Sequence, residues 1–378
     1  MKIALLSYST RPRGGVVHTL ALAEALAGEG ADVTVWTLGR GGDTELFRPV
    51  SPAVRVEIVP FPDRPGEAVG PRILRSIEAL RAAFEPGRFD IVHAQDCISA
   101  NAVPRCIRTV HHLDHFTTPE LAACHERAIV HPYAHVCVSA AVAAELRTGW
   151  GLTATVIPNG VDYDRFAAAA PRQGLGHFVL AVGGIEPRKG SLDLLEAFAL
   201  LRRDVPDLRL VIAGGETLFD YRDYRAEWER AAERLGIAPV VLGAVAHDEL
   251  PGLVAAAAVF AFPSTKEGFG LAAMEALAAG VPVVARDLPV LREVFGSTVR
   301  YGSGPASLAS AMLAAIRAAE PGRRAAGRSL AAAHTWKSAA QRHLELYRAL
   351  GGPAPMRRHD PEEEDRPGEG PDAVTAAG

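Results

Sequence analysis

The sequence predicts an α/β protein made of two successive doubly wound, Rossmann-like units that face each other across a cleft. Three observations predict it. Short apolar strand patterns alternate with helical patterns along most of the chain, as in a parallel sheet covered by helices on both faces. The pattern restarts at residue 178 after a polar, alanine-rich connector over residues 164–176. At 378 residues the chain exceeds what one core ordinarily holds, so two domains of similar size are the natural division.

In the first half, strands read at residues 3–7, 33–38, 54–59, 90–94, 107–110, 136–139 and 155–157, each a short run dominated by Val, Ile, Leu or Thr. Helices read between them at 16–28, 72–84, 119–129 and 140–150. In the helix over 72–84, Ile73, Ile77, Leu80 and Phe84 share one face, with Arg72, Arg75 and Arg81 largely elsewhere. Such a face fits either a membrane surface or the core of its own domain. In the second half, strands read at 178–183, 208–213, 240–242, 259–261 and 281–285, separated by helices. The apolar stretch 250–262 is too short to span a bilayer, which takes about 18 residues, and reads as helix then strand. Residues 216–228 are rich in aromatics (Phe219, Tyr221, Tyr224, Trp228) and read as an amphipathic helix with core aromatics, or as the wall of a pocket. The last helix runs over 335–350. Residues 351–378 are proline, glycine and acidic residues that cannot bury enough apolar surface to fold, and read as a disordered tail. The predicted divisions are therefore 1–165, 166–334, the helix 335–350 and the tail.

A net charge of −4 gives no global attraction to nucleic acid. Lysine occurs only at Lys2, Lys189, Lys266 and Lys337, and with the abundant arginine and alanine this suggests a GC-rich bacterial genome. The four cysteines, Cys97, Cys106, Cys124 and Cys137, fall in one histidine-containing segment, but no two of them have zinc-ligand spacing and several of these residues sit in apparent strands, so no metal is expected there. Thiols without a disulfide framework, and a first strand that starts at once with no signal peptide, point to a cytoplasmic protein.

The most informative stretch is residues 259–285. An apolar strand enters the turn Pro263-Ser264; Glu267 and the loop Gly268-Phe269-Gly270 follow, then a helix containing Glu275, then Gly280 and Pro282 before another strand. The glycines let backbone N–H groups approach a ligand, and a helix N-terminus favours an anion. Two carboxylates with seven residues between them, beside a phosphate site, suggest a nucleotide sugar. A second element, Gly183-Gly184 through Arg188-Lys189-Gly190-Ser191, places two cations where a helix begins. The dipole there opposes them, which favours a functional reason for their presence. The order Lys-Gly-Ser is not that of a P-loop.

The stretch resembles the Glu-x7-Glu signature of glycosyltransferase family 4, the retaining GT-B enzymes, over about residues 1–350. The resemblance implies the GT-B architecture, with the last helix crossing back to the first domain. It also implies transfer of a hexosyl group from a nucleoside-diphosphate sugar, with retention and without a metal or other cofactor. Arg188 and Lys189 would neutralise the leaving diphosphate together with the loop Gly268, Phe269, Gly270 and Leu271. Glu275 would hold the ribose and Glu267 the donor sugar's hydroxyls. In the first domain, Gly14 and Gly15 form a glycine-rich loop that would approach the donor phosphates or the acceptor, though a plain tight turn fits as well. That loop is not G-x-G-x-x-G. Of the adjacent His111 and His112, one would contact the donor sugar and reaction centre, and His111 fits better by its spacing after Thr109-Val110. His93 reads as a packing residue, and Asn159 through Asp162 as a structural turn at the domain junction. Arg286-Asp287 departs from the family pattern. The acceptor, whether small molecule, glycan or lipid, stays unidentified, as do the oligomeric state and any peripheral membrane contact. Two rival readings are a nucleotide-sugar epimerase or hydrolase on the same fold, and a silent nucleotide-sugar-binding protein; the intact set of Glu267, Glu275, Arg188 and Lys189 disfavours the latter.

Overall fold

The computed structural model describes residues 1–113, 119–214 and 221–351. The chain begins β1 (Lys2–Leu6), α1 (Gly14–Gly28), β2 (Asp32–Arg40), β3 (Val54–Phe61), α2 (Val69–Ala83), β4 (Ile91–Ala94), α3 (Cys97–Ala102) and β5 (Ile107–Val110). It continues with α4 (Pro119–Val130), β6 (Ala134–Cys137), α5 (Ala140–Trp150), β7 (Thr155–Val156) and α6 (Tyr163–Ala167). The second half holds β8 (Phe178–Val182), α7 (Ser191–Asp204), β9 (Arg209–Ala213), α8 (Arg222–Arg234), β10 (Val240–Gly243), α9 (Leu250–Ala255) and β11 (Val259–Phe262). It ends with α10 (Leu271–Ala278), β12 (Val283–Arg286), α11 (Pro289–Phe295), β13 (Arg300–Gly302), α12 (Pro305–Arg317), α13 (Pro321–Ala333) and α14 (Trp336–Ala349).

Two wholly parallel sheets result, in the orders β3-β2-β1-β4-β5-β6-β7 and β10-β9-β8-β11-β12-β13. Each central strand is buried on both sides: β1 from Ile3 to Leu6 and β11 throughout are at most 4% exposed, which explains their unbroken apolar runs. Each sheet reverses direction once, between β1 and β4 in the first and between β8 and β11 in the second. In doubly wound sheets the crevice beyond the carboxyl ends of those strands is where ligands bind.

α14 crosses back to the first domain. Its Ala339, Ala340, Leu344 and Tyr347 share a core with Ile3, Leu5, Val16 and Leu20. Tyr347 Oη meets His93 Nδ1 at 2.7 Å, and His93 Nε2 meets Thr109 Oγ1 at 2.8 Å, so His93 is a fully bonded core residue. Where the chain passes between domains, Val161 pairs in parallel with Thr335, and the Val161 N–H donates to His334 O at 2.8 Å.

Several details differ from the sequence reading. α6 straddles residue 165, and its Phe166 packs into the second core beside Phe178 and Phe260. Arg286 is buried, donating to the carbonyls of Pro263 (2.7 Å) and Ser303 (3.0 Å) and pairing with Asp193, so its departure from the family pattern serves the scaffold. The apolar face of α2 is spent on its own domain: Ile73, Ile77, Leu80 and Phe84 are at most 8% exposed. In the aromatic segment, Trp228 is a core residue of α8, while residues 216–220, Phe219 among them, lie outside the described residues. The tail from residue 352 onward does too. Among the described residues, no helix is long and apolar enough to cross a membrane.

Candidate active site

In the second domain the two strands that flank the reversal carry the two predicted loops. β8 runs into Gly183 and Gly184, then a 3-10 turn over Pro187–Lys189, with Gly190 as the N-cap of α7. β11 runs into Pro263, Ser264 and the Glu267 loop, with Gly270 as the N-cap of α10. The loops touch. Gly190 has φ +64°, and a Cβ there would stand 2.2 Å from Pro263 O, so the contact demands glycine on both counts. The Thr265 N–H donates to Arg188 O at 2.8 Å.

This contact brings Lys189 Nζ to 2.6 Å from Glu267 Oε1, with Arg188 Nη1 at 3.5 Å from the same oxygen. Arg188 also pairs with Glu186 at 3.0 Å. Burial works to raise the Glu267 carboxyl, but Lys189 and Arg188 overcome it and hold the group at about 2. Glu267 is thus ionised, and Lys189 and Arg188 are gathered with it and Glu186 into one charged cluster. Beside them, Gly268, Phe269 and Gly270 lead into Leu271, the first residue of α10, with no side chain capping the helix. Its N-terminal N–H groups are available to an anion.

Glu275 lies one turn further into α10. It makes no hydrogen bond and no ion pair among the described residues. Burial pushes its carboxyl up to about 7, Arg165 of α6 works against that, and Asp162 adds to it. A carboxylate held in a cleft without a protein partner is disposed to accept a ligand hydroxyl. Arg165 is itself held in place by a hydrogen bond to His247 O.

The first domain meets this loop directly. A Cβ on Gly268 would stand 1.6 Å from His111 O, so no other residue fits there while the cleft is shut. The ring of His111 turns toward α1: it packs edge-on against His18 with centroids 4.7 Å apart, and a Cβ on Gly15 would lie 3.8 Å from its Nε2. His111 Nε2 is buried with no hydrogen-bond partner, and burial pulls its pKa down to about 3. His18 is held by Asn159, with Nδ1 to Oδ1 at 2.9 Å. His111, Gly15 and Gly268 are therefore brought together. His112 follows on the chain, and its charge bears on His111. Gly14 starts α1 facing open space, and α1 likewise has no side-chain cap.

Sequence reasoning missed several neighbours. Tyr8 feels the charges of Arg13, Asp96 and Arg40 in its own domain and of Glu186 across the cleft. Gln95, 1% exposed, has both amide atoms without a partner, as do Arg40 Nη2 and Asp96 Oδ2. These residues end β1, β2 and β4, so position beyond the strand ends was the available signal. Glu293 of α11 reaches across to α5, accepting from Ala140 N at 2.7 Å and Ala141 N at 2.8 Å. No motif marks that clasp.

Residues 164–321 match the family model described as glycosyl transferases group 1, and residues 12–165 the one described as glycosyltransferase family 4. The chain is 31% identical over 326 residues to the phosphatidyl-myo-inositol mannosyltransferase of Mycobacterium tuberculosis strain H37Rv, covering 78% of this chain and 80% of that one. It is 30% identical over 404 residues to the D-inositol 3-phosphate glycosyltransferase of Geodermatophilus obscurus, covering 92% and 89%. Among solved structures, sucrose-phosphate synthase from Thermosynechococcus elongatus superposes with a TM-score of 0.74 at 22% identity, covering 92% of this chain and 98% of that one. Alr3699/HepE of Anabaena, in complex with UDP and glucose, superposes with a TM-score of 0.70 at 20% identity, covering 93% and 100%.

Proposed function

Because the chain belongs to the family 4 glycosyltransferases and is an enzyme of the GT-B fold, we propose that it transfers a hexosyl group from a nucleoside-diphosphate sugar to a polyol acceptor, with retention and without a metal. The observation that carries this reading is the meeting of Lys189, Arg188 and Glu267 at 2.6 and 3.5 Å beside the N-terminus of α10. Two cations and an uncapped helix suit a departing diphosphate, because fixed donors gain most as charge develops on it. Glu267, kept ionised, accepts hydroxyls of the donor sugar, and Glu275 those of the ribose. His111, neutral and facing α1, lines the reaction centre. The bond from the anomeric carbon to the phosphate oxygen breaks. The acceptor oxygen adds on the same face, and its proton passes to the leaving phosphate.

The relatives named above act on phosphatidyl-myo-inositol and on D-inositol 3-phosphate. The unpartnered amide of Gln95 and the carboxylate of Asp96 suit acceptor hydroxyls, and Arg13 and Arg40 beside Tyr8 suit an acceptor phosphate. The test is calorimetric binding of UDP, GDP, ADP and CDP to the folded protein, each with and without EDTA. One diphosphate should bind tightly and indifferently to EDTA. No binding by any of the four would overturn the donor assignment, and binding abolished by EDTA would overturn the metal-free mechanism.

A further inference from the structure

No disulfide links the four cysteines, and three are sealed in: Cys106, Cys124 and Cys137 are at most 3% exposed. Burial pushes the thiols of Cys106 and Cys137 up to about 12. Cys97 differs. It is partly exposed and opens α3, one residue after Asp96. Arg108 Nη2 of β5 donates to its sulfur at 3.1 Å, and His125 Nδ1 of α4 lies 3.3 Å away.

Arg108 supplies the second, independent observation. It is 3% exposed, and its Nε and Nη1 have no hydrogen-bond partner. No carboxylate among the described residues pairs with it. An arginine cannot shed its proton, and a buried cation without an anion is costly. Asp96 feels its charge but commits one oxygen to Ser99 N at 2.9 Å, and burial pushes the Asp96 carboxyl up to about 6. The other cation on this side, Arg127, is directed to Cys124 Sγ at 3.1 Å. The Cys97 sulfur is the atom placed to supply the missing negative charge. The spare N–H groups on Nε and Nη1 of the same guanidinium could then donate to an oxygen added to that sulfur.

We infer that Cys97 is a thiolate paired with Arg108, and that it is this chain's site of modification by small electrophiles, peroxides foremost. The sulfur attacks one peroxide oxygen; the S–O bond forms as the O–O bond breaks, and hydroxide leaves to be protonated as water. The sulfur loses two electrons to the peroxide and becomes a sulfenate, whose negative charge preserves the pair with Arg108. This inference stands apart from the glycosyl-transfer reading.

The experiment is iodoacetamide labelling of the folded full-length chain from pH 5 to 10, with the adducts mapped by mass spectrometry. Cys97 should label before the other three, with a rate midpoint at least one pH unit below the ordinary thiol value of about 8.5. Arg108→Met should raise that midpoint by a unit or more, and Arg108→Lys by less. If the Met variant does not fold, the wild-type midpoint decides alone. A midpoint at or above about 8.5, or first labelling at another cysteine, overturns the assignment. After one equivalent of hydrogen peroxide, dimedone should trap a sulfenic acid at Cys97; its absence there overturns the peroxide chemistry.

Discussion

Glu275 carries two separable consequences. Its carboxyl sits at about 7 in the folded protein against 4.5 ordinarily. Between those values the unfolded chain has released the proton and the folded one keeps it, so stability falls as pH rises through this window. Above pH 7 the full penalty applies, up to about 3 kcal/mol. Glu275→Gln should therefore raise the melting temperature at pH 8 in the absence of donor and leave it unchanged near pH 4. An unchanged melting temperature at pH 8 would refute the burial argument. Glu275→Ala should weaken diphosphate binding by ~1.5–3 kcal/mol if the carboxylate accepts the ribose hydroxyls. Lys189→Ala should lower kcat more than it weakens donor binding, since its help peaks as charge develops. Equal losses in calorimetry and turnover would reduce Lys189 to a ground-state grip.

At the scale of elements, Tyr347 tests how α14 is fastened. Its hydroxyl meets His93 Nδ1 at 2.7 Å in a buried site, so Tyr347→Phe leaves that nitrogen unpaired and should cost ~1–3 kcal/mol, read as a lower urea midpoint. A midpoint within error of wild type would mean that water replaces the hydroxyl. Long elements with an apolar face were legible in the sequence: β1, β2, β8 and α14 lie within a residue or two of the expected positions. Short apolar strands such as β5 (Ile107–Val110) were legible too, but α3 and β13 were not. α3 has six residues and depends on a capping box between Asp96 and Ser99, and β13 has three residues held by one neighbour, β12. Neither length carries a period. The same limit applies to the site. Lys189, Glu267 and Glu275 sit in strand-loop-helix units that announce themselves. The catch of Glu293 on α5 and the nearness of Arg165 to Glu275 arise from packing between segments remote in sequence.

For the whole molecule, the buried histidines set the acid limit. His18, His93, His111 and His343 all lie below the ordinary value of 6.5, chiefly through burial, His111 at about 3 and His343 at about 4. Above pH 6.5 they are neutral in both states. As pH falls further the unfolded chain takes up protons that the folded one refuses, and stability drops until the folded values are reached. Glu275 works in the opposite sense but is one group against four. The unfolding free energy should therefore fall as pH drops from 6.5 to 5, the four rings outweighing Glu275. A flat profile between pH 6.5 and 5 in urea titrations would contradict the burial of these rings.

The pairing of Val161 with Thr335 bears on how such a molecule can move. The chain passes between its halves twice, and the two passages lie side by side, hydrogen-bonded to each other. A single tether would permit swivelling in any direction. Two joined tethers leave fewer directions open, so the pairing narrows the ways in which the two halves can turn against each other.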